Sequence, residues 1–177
     1  MSTFLKIGFV FVFVAFGICT HSQTVYEHQY LVRVGDMAPD FTIRETNGDT
    51  YKLSDLRGHV VMLQFTASWC GVCRREMPHI EQEVWKPGKA MGLKVIGIDR
   101  DEPLDKVIDF KNQVGVTYPL ALDLNADIFG KFALKQAGVT RNVVIDREGR
   151  IIFLTRLFRM DEFNEMKTAI FKELKRK

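Results

Sequence analysis

A buried strand that leads directly into a helix with two cysteines constrains this chain more than any other feature. Residues 60–63 (Val-Val-Met-Leu) form an apolar run that predicts a buried β-strand. A predicted helix follows the strand. One face of this helix carries five residues at helical spacing: Cys73, Glu76, Met77, Ile80 and Val84. Cys70 and Cys73 therefore lie at a strand-to-helix corner, in the first turn of the helix.

The position of the two cysteines predicts redox chemistry. Unpaired backbone N–H groups at a helix start carry partial positive charge and stabilise a thiolate. Cys70 is the outer cysteine and the predicted nucleophile, which would open a partner's disulfide and form a mixed disulfide. Cys73, one turn further in, would then resolve that intermediate. Glu76 shares the apolar face with Cys73, so its pKa should rise and its carboxyl could exchange a proton with that cysteine.

The motif Trp69-Cys70-Gly-Val-Cys73, followed by Glu76 and Pro78, resembles the TlpA/ResA-type thiol-disulfide oxidoreductases of bacterial envelopes, within the thioredoxin superfamily. The opening segment 34–41 (Val-Gly-Asp-Met-Ala-Pro-Asp-Phe) is similar to that family and to the related AhpC/TSA peroxiredoxins. The resemblance covers roughly residues 34 to 175. It implies Cys70, Cys73 and Glu76 as catalytic residues, and a substrate-binding surface formed by Trp69, Val139 and Thr140.

The order of predicted elements fits an α/β, thioredoxin-like fold. Segments 41–43 and 51–53 flank an Asn-Gly-Asp turn and predict an N-terminal hairpin, whereas 93–98 reads as a strand. A helical insertion follows, and then come a second hairpin and a closing helix from about Asp161. We therefore expect a mixed central sheet flanked by helices.

The N-terminus predicts an exported protein. Residues 7–18 carry no charge and follow Lys6, which suits a signal-peptide core better than a transmembrane helix. We assign 1–22 as signal peptide, 23–33 as an extended leader and 34–177 as one thioredoxin-like domain in the periplasm or cell envelope. There are two alternatives: a lipoprotein that carries its lipid on Cys19, or a segment that stays uncleaved and anchors the protein. Cleavage would leave Cys70 and Cys73 as the only cysteines, which favours a redox-active pair.

Composition and resemblance limit the partners. The net charge of +3 is too small and too mixed to indicate nucleic acid. We expect a monomer without a cofactor or bound metal, apart from the redox-active disulfide. The resemblance implies protein thiols and disulfides as substrates and a membrane or envelope electron donor, with reduction as the expected direction.

One motif departs from the family pattern. The family usually has Gly-Val/Ile-Pro-x-Thr before its Phe-Leu-Ile-Asp strand, with a cis-proline facing the cysteines, and here Thr140 occupies the proline position. A cis bond before a non-proline residue costs roughly 2.5–4 kcal/mol, so we predict a trans Val139–Thr140 bond. We also expect a more polar groove and a narrower set of partners.

Two other functions remain open. A peroxiredoxin-like peroxidase would share the opening motif, but that family has Thr or Ser three residues before its reactive cysteine, where this chain has Ala67. A non-catalytic thioredoxin-fold module could instead hold a partner or a metal beside the two thiols, since Thr140 leaves room there.

Overall fold

The computed structural model describes residues 25–176, and the predicted signal peptide and Cys19 lie outside that range. Its centre is a five-stranded sheet in the order β5-β4-β3-β6-β7. These strands are β3 Val61–Thr66, β4 Lys94–Arg100, β5 Leu120–Asp123, β6 Arg141–Ile145 and β7 Ile151–Arg156. The first three are parallel, whereas β6 pairs antiparallel with both β3 and β7. The predicted mixed sheet and second hairpin are therefore confirmed.

Helices cover both faces of this sheet, and a small hairpin precedes it. The hairpin consists of β1 Thr42–Arg44 and β2 Thr50–Lys52, as the turn signal predicted. The helices are α1 Gly71–His79, α2 Lys86–Lys89, α3 Leu104–Val114, α4 Phe129–Phe132 and α5 Met160–Lys175. Short 3-10 turns occupy Glu27–Gln29, Leu53–Leu56 and Leu124–Ala126.

Strand β3 is buried along its whole length because it separates two hydrophobic cores. Alternate side chains of a strand point to opposite faces. Leu63 and Phe65 pack in one core, where the Phe65 ring lies 5.3 Å from that of Phe129 in a T-shaped arrangement. Met62 packs in the other core, with residues of α1, α3 and α5. The end of β3 is therefore held on both faces, which fixes the start of α1.

The cysteine-bearing helix changes its winding after Pro78. The segment Ile80–Trp85 is a π helix that joins α1 to α2. An interior proline has no N–H to donate to the preceding turn, and wider turns are one way to absorb this loss. The irregularity after Pro78 thus takes the form of a π segment, and the last helical piece ends at Lys89.

Residues 25–33, which belong to the predicted leader, pack against the domain. A short turn at Glu27–Gln29 interrupts this segment, and Tyr30 and Val32 are buried. The Leu31 N–H donates to the Phe132 carbonyl at 2.7 Å. Within residues 25–176, none of the helices combines the length and the apolar composition that a membrane crossing requires.

Candidate functional site

The two cysteines are disulfide-bonded at the corner between β3 and α1. Cys70 is the N-cap residue of α1, and the Cys73 N–H donates to its sulfur at 3.1 Å. Cys70 is 7% exposed, whereas Cys73 is fully buried. Cys70 is therefore the more accessible residue of the pair.

Thr140 lies directly beside the disulfide. Phe65 pairs with Arg141 across β3 and β6, so the residue before β6 falls next to the end of β3. The Thr140 Oγ1 atom is 3.2 Å from the Cys70 Sγ and 3.3 Å from the Cys73 Sγ. Residues 25–176 contain no cis peptide bond, which confirms the predicted trans Val139–Thr140 bond. Val139 is buried in the core, so its side chain is not offered to a partner.

The surface around Cys70 exposes a large aromatic side chain. Trp69 is 62% exposed, so it is not a packing residue of the core. The neighbouring Arg74 lies over the Phe110 ring at 4.8 Å, and its Nε donates to the Ser68 carbonyl at 2.8 Å. Arg74 therefore supports the loop that carries Trp69, and the exposed indole is left to contact other molecules.

Glu76 is buried beneath the disulfide helix, on the same helix face as Cys73. Its carboxylate accepts hydrogen bonds from Asn142 Nδ2 at 2.6 Å and Gln64 Nε2 at 3.4 Å. Burial raises the pKa of the Glu76 carboxyl to about 7, although the two amide donors act in the opposite direction. The raised pKa expected from the apolar face is thus present, and it makes the carboxyl suited to proton exchange near neutral pH.

Two paired amides hold the Glu76 carboxylate. Gln64 and Asn142 are direct neighbours across β3 and β6. The Tyr118 hydroxyl donates to Gln64 Oε1 at 2.7 Å, which turns the Gln64 N–H groups toward Glu76. Asn142 Nδ2 also donates to Thr155 Oγ1 at 2.9 Å. The sequence did not predict the role of Asn142, yet it stands at the threonine position of the altered motif, a signal that could have identified it.

Two further acidic side chains, Glu102 and Asp99, lie near the active-site loop. Glu102 accepts hydrogen bonds from the Ser68 N–H at 2.5 Å and the Ser68 hydroxyl at 2.6 Å, and it pairs with Lys106 at 2.6 Å. Asp99, fully buried at the end of β4, has no hydrogen-bond partner for either carboxylate oxygen within the described chain. Burial and the nearby Glu102 raise the pKa of Asp99 to about 8. Asp99 therefore binds a proton at neutral pH.

Replacing Asp99 by asparagine should flatten the dependence of stability on pH. The folded state favours protonated Asp99, so its contribution to stability falls as pH rises from about 4 through 8. At pH 8.5, Asp99→Asn should raise the free energy of unfolding by about 3 kcal/mol, because it removes an uncompensated buried charge. Denaturant titrations of the oxidised protein at pH 5 and 8.5 measure this difference. Asp101→Asn is the surface control, and an equal gain at both pH values would contradict the assignment.

The site provides thiol chemistry, and the described residues form no cluster of metal ligands beside it. Residues 25–176 bring no three His, Cys, Asp or Glu side chains into a group able to hold a metal ion. The reactive groups are the sulfur of the slightly exposed Cys70, the sulfur of the fully buried Cys73, a hydroxyl that contacts both, and a buried carboxyl with a pKa near neutrality. Such a set supports thiol–disulfide exchange.

Comparison with known proteins agrees with this chemistry. Residues 34–154 match the model of the AhpC/TSA family. The thiol-disulfide oxidoreductase ResA of Bacillus anthracis is 31% identical over 130 residues, 73% of either chain. ResA of Bacillus subtilis is 28% identical over 153 residues, 84% of this chain and 82% of that protein.

Solved structures show the same likeness. A solution structure from Bacteroides thetaiotaomicron, described as a protein disulfide isomerase, superposes with a TM-score of 0.81 at 59% identity, covering 84% of this chain and 94% of the other. A Chlorobium tepidum protein described as the thiol:disulfide interchange protein DsbE superposes with a TM-score of 0.69 at 30% identity. The match covers 81% of this chain and 99% of the other. This chain thus belongs to the AhpC/TSA family, as a thiol-disulfide oxidoreductase of the TlpA/ResA type with a Cys70–Cys73 redox pair.

Proposed function

We propose that this protein is exported and reduces disulfides of protein partners in the cell envelope, with electrons from a membrane or envelope donor. The observation that carries the proposal is the asymmetry of the pair, in which Cys70 keeps a small exposed fraction and Cys73 has none. The predicted signal peptide supports export, and the ResA relatives are named as thiol-disulfide oxidoreductases. A monomer suffices for this chemistry, because one chain supplies both cysteines and Glu76.

The exchange proceeds in two steps. The Cys70 thiolate attacks one sulfur of a partner disulfide, so a Cys70–partner bond forms and the partner's other sulfur leaves as a thiolate. The Cys73 thiolate then attacks the Cys70 sulfur, which closes the Cys70–Cys73 disulfide and releases the second partner thiolate. The partner gains two electrons and two protons, and the enzyme dithiol loses them. The electron donor returns the enzyme to its dithiol form by the reverse steps.

Glu76 supplies the proton chemistry in this proposal. The buried Cys73 thiol must lose its proton before it attacks, and water does not reach it easily because the residue is fully buried. Glu76, whose pKa is raised to about 7, takes that proton and returns it when Cys73 becomes a leaving group. Trp69 and the backbone at Val139 and Thr140 would contact the partner on either side of Cys70.

A direct assay tests the oxidoreductase function. Reduced protein is mixed with a fluorescence-quenched peptide held by a disulfide, and the release of fluorescence is followed. We expect second-order exchange well above that of free glutathione at the same thiol concentration, and slow reduction of insulin because of the altered groove. Export is tested separately, by fusing residues 1–40 to a reporter enzyme that is active only outside the cytoplasm. Exchange no faster than glutathione, or an inactive reporter, would overturn the corresponding half of the proposal.

One observation keeps a peroxidase activity as a second candidate. The Thr140 hydroxyl lies 3.2 Å from the Cys70 sulfur, and the matched family includes AhpC in its name. The position three residues before Cys70 is Ala67, which is buried and has no hydroxyl. Consumption of hydrogen peroxide in the presence of dithiothreitol decides between the two activities. We expect it to be slow relative to disulfide exchange.

A further inference from the structure

We propose that the Thr140 hydroxyl is a catalytic hydrogen-bond donor that serves both sulfurs in turn during exchange. This inference rests on the thiol–disulfide exchange described above and adds a reacting group to it. Thr140 stands where a proline would offer no donor at all, so the proposed interaction belongs to this chain's own sequence.

The geometry of the hydroxyl carries the proposal. Its oxygen lies almost midway between the two sulfurs, at 3.2 Å from Cys70 and 3.3 Å from Cys73. Disulfide sulfurs carry no proton, so the hydroxyl is the donor in both contacts. Among the described residues it has no hydrogen-bond partner besides these sulfurs, and Thr140 itself is buried. Rotation about the Cβ–Oγ1 bond therefore directs the proton to either sulfur while the oxygen stays in place.

The loop that carries Thr140 is fixed on both sides. The Thr140 carbonyl accepts a hydrogen bond from the Leu157 N–H at 3.1 Å. Arg141 is fully buried, and its Nε donates to the Gly138 carbonyl at 2.9 Å while its guanidinium lies over the Tyr30 ring at 4.4 Å. A donor held in place before the reaction stabilises developing charge without reorganisation during it.

The two half-reactions place negative charge on different sulfurs. When a partner thiolate attacks the Cys70 sulfur of the oxidised enzyme, the Cys70–Cys73 bond breaks and Cys73 leaves with the electron pair as a thiolate. In the opposite half-reaction, the Cys70 thiolate is the nucleophile and attacks the partner disulfide. The Thr140 hydroxyl is within reach of both sulfurs, so it donates to the Cys73 thiolate in the first case and to the Cys70 thiolate in the second.

The test compares variants that keep or remove this hydroxyl. Thr140→Val has nearly the same shape without the donor, Thr140→Ala avoids any overpacking, and Thr140→Ser keeps a hydroxyl. Thr66→Val is the matched control, because it removes a buried hydroxyl from β3 that contacts the Met77 sulfur and neither cysteine. The readouts are the thiolate absorbance titration of the reduced protein and its equilibrium with glutathione, neither of which needs a protein partner.

We expect Thr140→Val and Thr140→Ala to raise the Cys70 thiol pKa by about one unit, since a hydrogen bond to a charged group is lost. The equilibrium constant for reduction of the Cys70–Cys73 disulfide by glutathione should fall about tenfold. This corresponds to a reduction potential of the pair that is lower by about 30 mV. Thr140→Ser should recover most of both shifts, and Thr66→Val should show neither. Unchanged titrations in Thr140→Val and Thr140→Ala, or equal shifts in Thr66→Val, would overturn the proposal. Failure of the wild type in the peptide assay would instead count against the proposed function.

Discussion

Reduced Cys73→Ser protein is expected to retain a disulfide-linked peptide covalently on Cys70, whereas Cys70→Ser protein is expected to retain none. Cys70 is the more accessible of the two cysteines, and Cys73 is fully buried. Without Cys73, nothing in the described site can attack the mixed disulfide, so the intermediate accumulates. Intact-mass spectrometry after quenching with acid measures the adduct, and turnover in the peptide assay should fall to background in both variants.

The control for this experiment is the thermal unfolding of both variants in reducing buffer, which should match that of the reduced wild type. Alkylation of the reduced wild type gives an independent measurement, since iodoacetamide should modify Cys70 well before Cys73. Equal peptide trapping by the two serine variants, or equal alkylation of the two cysteines, would contradict the assignment of Cys70 as nucleophile.

The sequence predicted those parts of the molecule whose signal is local. The strand was predicted from the apolar run at 60–63, and the helix from the spacing of Cys73 to Val84. Both predictions succeeded because burial of one face imposes a repeat of apolar residues along the sequence. The raised pKa of Glu76 followed from the same pattern, since a carboxyl on an apolar face loses hydration. The hairpin turn at Asn47-Gly48 was equally local.

Contacts between distant segments could not be read from periodicity. Helix α3 buries Val107 and Phe110, whereas the equally apolar Leu104 and Ile108 are exposed. Which of these side chains become buried depends on how α3 packs on α1 and the sheet. The sequence of α3 alone does not encode that packing. The approach of Thr140 to the sulfurs likewise requires the β3–β6 register, and no sequence pattern gives a distance of 3.2 Å.

Asn142 shows how the two kinds of information combine. Its substitution for threonine in the motif is visible in the sequence, but its function depends on lying opposite Gln64 across two strands. Together the two amides supply the donors that a lone buried carboxylate would lack, and an unsatisfied buried charge is costly. Their presence keeps the pKa of Glu76 near neutrality where burial alone would raise it further.

Replacement of Glu76 by glutamine is expected to slow disulfide exchange at least about 100-fold near pH 7, the lower end of the range typical of general acid–base catalysis. Glutamine has the same shape, and it can bond Asn142 and Gln64 if one amide turns over. The fold should therefore persist, while the wild-type ionisation near pH 7 should disappear from the pH–rate profile. Stopped-flow measurements of exchange from pH 5.5 to 9 test this, and Glu83→Gln, further along the same helical segment, is the matched control.

The same variant has a predicted effect on stability, and its sign follows from the direction of the pKa shift. Because the pKa of folded Glu76 is raised to about 7, the folded state binds an extra proton between about pH 4.5 and 7, and stability falls as pH rises through that window. Glu76→Gln should remove this slope, which amounts to about 3 kcal/mol at 1.36 kcal/mol per pKa unit. The slope due to Asp99 continues to about pH 8 and should survive in this variant. Unchanged exchange rates together with an unchanged slope would assign Glu76 a purely structural position beneath the disulfide.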